Sequence, residues 1–169
     1  NILAALYRDG FDHVAHGPLL ADIRREGGEG AVTRALDWFV SRDPALVDAS
    51  IQPGERVAAF NLMTLSMLLG TPLEPDLAGH VLLVEEVSEH LYAFDRAMFH
   101  VTTTLAPRGL AGLRLGRVSA VPDNDPPFGI EPADIAQHWC SKNGIAWLGR
   151  ADIGHDADNK IVPFGLHGG

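Results

Sequence analysis

The chain has 169 residues, 46% of them hydrophobic and 21% charged, with a formal net charge of -9 and a single cysteine, Cys140. That is enough chain for one filled core, or for one domain and part of another. It excludes a disordered tail, an internal disulfide framework and a Lys/Arg-rich nucleic-acid footprint, and no apolar run approaches the roughly 20 residues of a membrane helix.

Residues 1–8 read as the end of an amphipathic helix carrying Ile2, Leu3 and Leu6, with Gly10 at the position after its cap. The pattern opens at Asn1 without a cap or leader, so the chain is expected to be part of a longer protein. Residues 11–15 predict a short strand ending at His16-Gly17-Pro18. His16 is either a site residue or a structural histidine at a strand end. Gly27-Gly28-Glu29-Gly30 lacks the flanking strand and lysine of a phosphate-binding loop and reads as a loop before a helix over residues 31–41. In that helix Val32, Leu36, Phe39 and Val40 share the face expected to meet a sheet.

The polar passage at residues 42–54 is the candidate domain boundary. Residues 61–69 predict a helix with Leu62, Leu65 and Leu69 inward, closed by Gly70-Thr71-Pro72. Val81-Leu82-Leu83-Val84 has no apolar/polar alternation and predicts a strand covered on both faces, as in a parallel sheet. Glu85 and Glu86 follow at its carboxyl end, the edge of an α/β sheet where ligands and catalytic groups collect; the competing reading is a solvated helix N-terminus.

A helix over residues 91–103 places Phe94, Ala97, Met98 and Val101 inward, and Tyr92 is expected in the core with Phe94. A strand over residues 113–118 leads to Pro122-Asp123-Asn124-Asp125-Pro126-Pro127, a turn-rich loop without the spacing of a calcium loop. Pro132 opens a helix carrying Ile135, Trp139 and Cys140, and residues 145–148 predict a further strand. The tail places His155 beside Gly154 in a polar loop between two apolar runs. His155, Asp156 and Asp158 could instead hold a divalent metal, although no second histidine stands at ligand spacing.

N-L-x-x-L-x-x-L-L-G-T-P-x-x-P-D-L from Asn61 to Leu77 is followed by a strand ending in E-E-V-x-E and a helix with Y-x-x-D-R. Leu115-Gly116-Arg117 and G-H-x-x-x-N-x-x-x-P-F-G from Gly154 to Gly165 come next, in order. This ordered series resembles the C-terminal half of the LD-carboxypeptidases, the serine peptidase family that also contains the microcin C7 self-immunity proteins. The resemblance implies a Ser-Glu-His triad in chain order, with Glu85 as the acid and His155 as the general base. It also implies a serine in a G-x-S-D-type turn upstream of Asn1; Ser66, Ser88, Ser119 and Ser141 lie in no glycine-flanked strand-to-helix turn.

The expected fold is therefore α/β: residues 1–48 as the tail of a Rossmann-like, nucleophile-bearing N-terminal domain, and residues 49–169 as the C-terminal α/β domain with Glu85 and His155. The expected function is release of the terminal D-alanine from a cytoplasmic muropeptide tetrapeptide, with no cofactor or metal and a peptide or muropeptide as partner. A homodimer is left open, as are two alternatives: a microcin C7-type immunity peptidase and a non-catalytic peptide-binding module.

Overall fold

In the computed structural model, which describes residues 2–166, helices alternate with the strands of a five-stranded sheet. The elements are α1 (Ile2–Arg8), β1 (Ala15–His16), α2 (Gly28–Ser41), β2 (Arg56–Asn61), α3 (Leu62–Leu68), β3 (Val81–Val87), α4 (Leu91–Leu105), β4 (Gly112–Ser119), α5 (Pro132–Asn143), β5 (Ala146–Arg150), β6 (Val162–Pro163) and β7 (Gly165–Leu166). The sheet order is β5-β4-β3-β2-β7, parallel from β5 to β2, with β7 antiparallel at the edge. β1 and β6 form a separate antiparallel pair.

Side chains alternate across a strand, and here that divides the core in two. Ala58 and Phe60 of β2, with Leu82 and Val84 of β3, pack with α3, α4 and α5. Val57 and Ala59, with Val81 and Leu83, face the opposite way onto Trp38 of α2, Val47, Ile51, Ile153 and Ile161. Residues from both ends of the chain thus share the second cluster. Cys140 is buried in the first, where burial pushes its thiol pKa up to about 12 and leaves it inert packing. No helix among the described residues is long and apolar enough to cross a membrane.

Most expected elements are present, α3 with Asn61 as its N-cap and α5 with Pro132 in its first turn. Several details differ. The expected strand at residues 11–15 shrinks to Ala15–His16, the only part of it that finds a partner strand, in β6. Gly28 to Gly30 are the first turn of α2, not a loop, and α2 is rotated from its predicted face. Ala31, Val32 and Trp38 are buried, whereas Leu36, Phe39 and Val40 are exposed. β2 has no counterpart among the expected strands, because Ala58-Ala59 carries little β-propensity and only burial between β3 and β7 makes it a strand. Tyr92 is exposed while Phe94 is buried. Asn1, the predicted start of the first helix, lies outside the described residues.

Candidate active site

The alternation along β3 continues past Val84 and sends its two carboxylates to opposite sides of the sheet. Both are buried, Glu85 at 0% and Glu86 at 2% exposure, so neither is a solvated helix start. Glu86 turns toward α3. Its Oε1 accepts from Asn61 Nδ2 at 2.6 Å and from the Val87 amide at 2.9 Å, and its Oε2 accepts from the Met63 amide at 2.8 Å. Asn61 Oδ1 accepts from the Thr64 amide at 2.9 Å, so Asn61 and Glu86 together satisfy two of the free amides that open α3. Burial raises the Glu86 carboxyl pKa, and these hydrogen bonds oppose it.

Glu85 turns the other way, and its Oε2 lies 2.6 Å from His155 Nδ1. The hydrogen bond to Glu85 raises the His155 pKa against the opposing effect of burial. With Glu85 on Nδ1, the neutral imidazole carries its proton there and keeps a lone pair on Nε2, the tautomer a general base requires. The His155 side chain is 31% exposed and lines the cleft described below.

The loop that carries His155 is held from every side. Arg117 of β4 pairs with both Asp152 and Asp156, and its amide donates to the Ile153 carbonyl at 2.8 Å. The Asp152 amide donates to Asp48 Oδ2 at 2.6 Å, and the Gly154 amide to Asn159 Oδ1 at 3.1 Å. Arg34 reaches the Ala157 and Asn159 carbonyls, and Arg25 reaches the carbonyl of His155 itself, each at 3.0 Å. Gly116 lets this loop lie against β3: a Cβ there would meet Ile153 O and Cγ1 at 2.6 Å and Glu85 Cβ at 3.0 Å.

Glu85 and His155 line a cleft of about 1050 Å³, with His16, Arg25, Asn61 and Met63 also on its walls. None of its described lining residues is a serine. Ser66, one of the four serines singled out from the sequence, instead meets His100 Nδ1 at 2.9 Å. Asp156, considered above as a metal ligand, has both carboxylate oxygens on Arg117. Among the described residues no three His, Cys, Asp or Glu groups are placed to hold a metal ion.

Glu85 and His155 are thus brought together across 70 positions of sequence. Arg117, Asp48, Asn159 and Arg25 were not anticipated as their supports. The L-G-R and G-H-x-x-x-N patterns already contained Gly116, Arg117 and Asn159, but nothing local ties Asp48 or Arg25 to His155.

Known proteins are similar to this chain in sequence or in fold. A Synechocystis sp. protein named as a carboxypeptidase, slr1534, is 30% identical over 171 residues, covering 98% of this chain and 56% of its own length. The muramoyltetrapeptide carboxypeptidase of Oxalobacter formigenes superposes with a TM-score of 0.73 at 22% identity, over 97% of this chain and 59% of its own. The microcin C7 self-immunity protein MccF, in complex with aspartyl sulfamoyl adenosine, does so with a TM-score of 0.74 at 15% identity and the same coverage. The chain therefore spans a little over half the length of these relatives. Over residues 56–168 it matches the model of the LD-carboxypeptidase C-terminal domain, and it belongs to the LD-carboxypeptidase family.

Proposed function

We propose that the chain supplies the acid and base of a serine-type LD-carboxypeptidase, with Glu85 and His155 as triad partners of a serine outside residues 1–169. The observation that carries this reading is the 2.6 Å contact between buried Glu85 and His155 at the wall of a cleft. In this mechanism His155 Nε2 takes the serine proton as the hydroxyl attacks the scissile carbonyl, and then returns it to the departing amine. Glu85 holds the tautomer and stabilises the imidazolium without taking the proton itself. The substrate class is a muropeptide tetrapeptide losing its terminal D-alanine, with the cytoplasm as the expected compartment; the name of the Oxalobacter neighbour, a muramoyltetrapeptide carboxypeptidase, supports the tetrapeptide substrate. In the same reading residues 1–48 belong with the nucleophile-bearing domain and residues 49–169 form the second domain, in keeping with a family match that begins at residue 56.

A second substrate class has its own support, because solved MccF complexes contain aspartyl sulfamoyl adenosine and glutamyl sulfamoyl guanosine. The intact protein bearing this sequence, given a tetrapeptide and an aminoacyl sulfamoyl nucleoside side by side, is expected to release D-alanine from the tetrapeptide. Glu85→Gln and His155→Ala are expected to lower kcat by about 10³-fold or more. Hydrolysis of the nucleoside alone moves the assignment to the immunity class. Binding of the peptide that survives both substitutions, with no turnover, replaces catalysis by a binding module.

A further inference from the structure

Five buried side-chain polar atoms have no hydrogen-bond partner among the described residues: His16 Nδ1, Ser50 Oγ, Glu85 Oε1, His90 Nδ1 and Asn124 Oδ1. Only two of the five belong to residues lining the cleft, His16 Nδ1 and Glu85 Oε1. Glu85 is 0% exposed, and among the described residues the only side-chain donor to its carboxylate is His155, on the other oxygen. A buried carboxylate with one oxygen unpartnered is costly, and a single hydrogen bond leaves its orientation under-determined. His16 is 8% exposed and sits on β1, where its backbone is fixed opposite Val162 of β6. It is close enough to feel the charges of both Glu85 and His155.

We propose that His16 is a positioning residue for the acid–base pair: its Nδ1–H is the second donor to Glu85, reaching Oε1 across one water, and so fixes the carboxylate that orients His155. The proposal rests on the reading of Glu85 and His155 as that pair. Burial keeps His16 neutral by lowering its pKa, so it donates a hydrogen bond without adding a charge that would repel the imidazolium of His155. The charged groups facing His155 are Glu85 from β3 and Asp22 and Arg25 from the 3-10 turn Leu20–Arg24 and its cap. All three are unchanged by substitutions at His16.

The test is a pH titration of the imidazole nitrogens by NMR, on the intact protein bearing this sequence and on its His16→Leu and His16→Gln variants. In the wild type, His16 is expected as the neutral Nδ1–H tautomer near neutral pH; an Nε2–H tautomer overturns the proposal without any variant. In His16→Leu the pKa of His155 is expected to fall by about one unit, tenfold in its protonation constant, because a carboxylate anchored at one oxygen alone turns away from Nδ1 and its bond to His155 loosens. His16→Gln, which keeps an N–H donor, is expected to restore most of it. An unchanged His155 titration in the Leu variant, or a Gln variant that behaves like Leu, overturns the proposal. Should the Leu variant not fold, the wild-type tautomer and the Gln titration decide. The readout involves no peptide cleavage: a protein without peptidase activity but with these titrations overturns the proposed function and leaves the role of His16 standing.

Discussion

Glu85 and His155 show how one hydrogen bond links burial, charge and pH response. Its bond to Glu85 places the His155 pKa above the ordinary imidazole value of 6.5. A raised pKa in the folded state means stability that is fully present below 6.5 and lost as the pH rises through the folded value. His16 works the other way: its pKa is lowered by burial, so its contribution is present above 6.5 and lost as the pH falls through its own folded value. The two windows lie on opposite sides of 6.5, so together these groups favour stability near that pH, His16 acting below it and His155 above it. Activity separates them, because only neutral His155 can accept the serine proton. The acid limb of kcat/KM for the intact protein is expected above pH 6.5, and Glu85→Gln should move any residual limb downward. A limb at or below 6.5 in the wild type would remove His155 from the role of base.

At the scale of elements, the site depends on the approach of the loop at residues 151–160 to the end of β3, and β4 controls that approach. Gly116 is where β4 passes between Ile153 and Glu85, and Arg117 ties the loop down through Asp152 and Asp156. Gly116→Ala puts a methyl 2.6 Å from the Ile153 carbonyl oxygen, so the loop or the strand must shift. A displacement of about 1 Å in a catalytic group can cost about 10²-fold in rate, and overpacking typically costs about 1–3 kcal/mol of stability. The variant is expected to lose about 10²-fold in kcat/KM, with its His155 titration returning toward 6.5. Wild-type activity and an unshifted titration would show that the loop reaches Glu85 without needing a glycine there.

Across the whole molecule, an ion pair between Arg114 and Glu55 joins sequence-distant parts of the sheet on the α2 side. Arg114 of β4 makes two 2.9 Å bonds to Glu55, which precedes β2 and lies beyond the intervening β3. The Arg114 side chain is 7% exposed and that of Glu55 19%, so this pair is far less screened than the surface pairs around Arg117. Removing one partner strands the other, a loss of about 3–5 kcal/mol in buried pairs and toward the lower end here. Glu55→Gln is expected to lower the urea midpoint sharply, and adding Arg114→Met should recover much of the loss. A double variant no better than the single one would mean that Glu55 acts through its other contacts, among them the Gln52 amide at 2.9 Å.

The helices α3, α4 and α5 and the strand β3 could be read from local pattern, because their apolar spacing, capping residues and bounding glycines are properties of short segments. The family, too, was legible, since an ordered series of short motifs needs no fold to be recognised. β2 and the buried face of α2 were not, because Ala58-Ala59 and Ala31-Trp38 acquire their roles only from what packs against them. The candidate site divides in the same way. Residue type and flanking pattern singled out Glu85 and His155, but the direction in which each carboxylate points follows from strand alternation at a parallel sheet's end. The pairing of Glu85 with His155, the orphaned nitrogen of His16 beside them, and the hold of Asp48, Arg25 and Arg117 on the loop all arise from contacts between segments far apart in the chain, where no local preference specifies a partner.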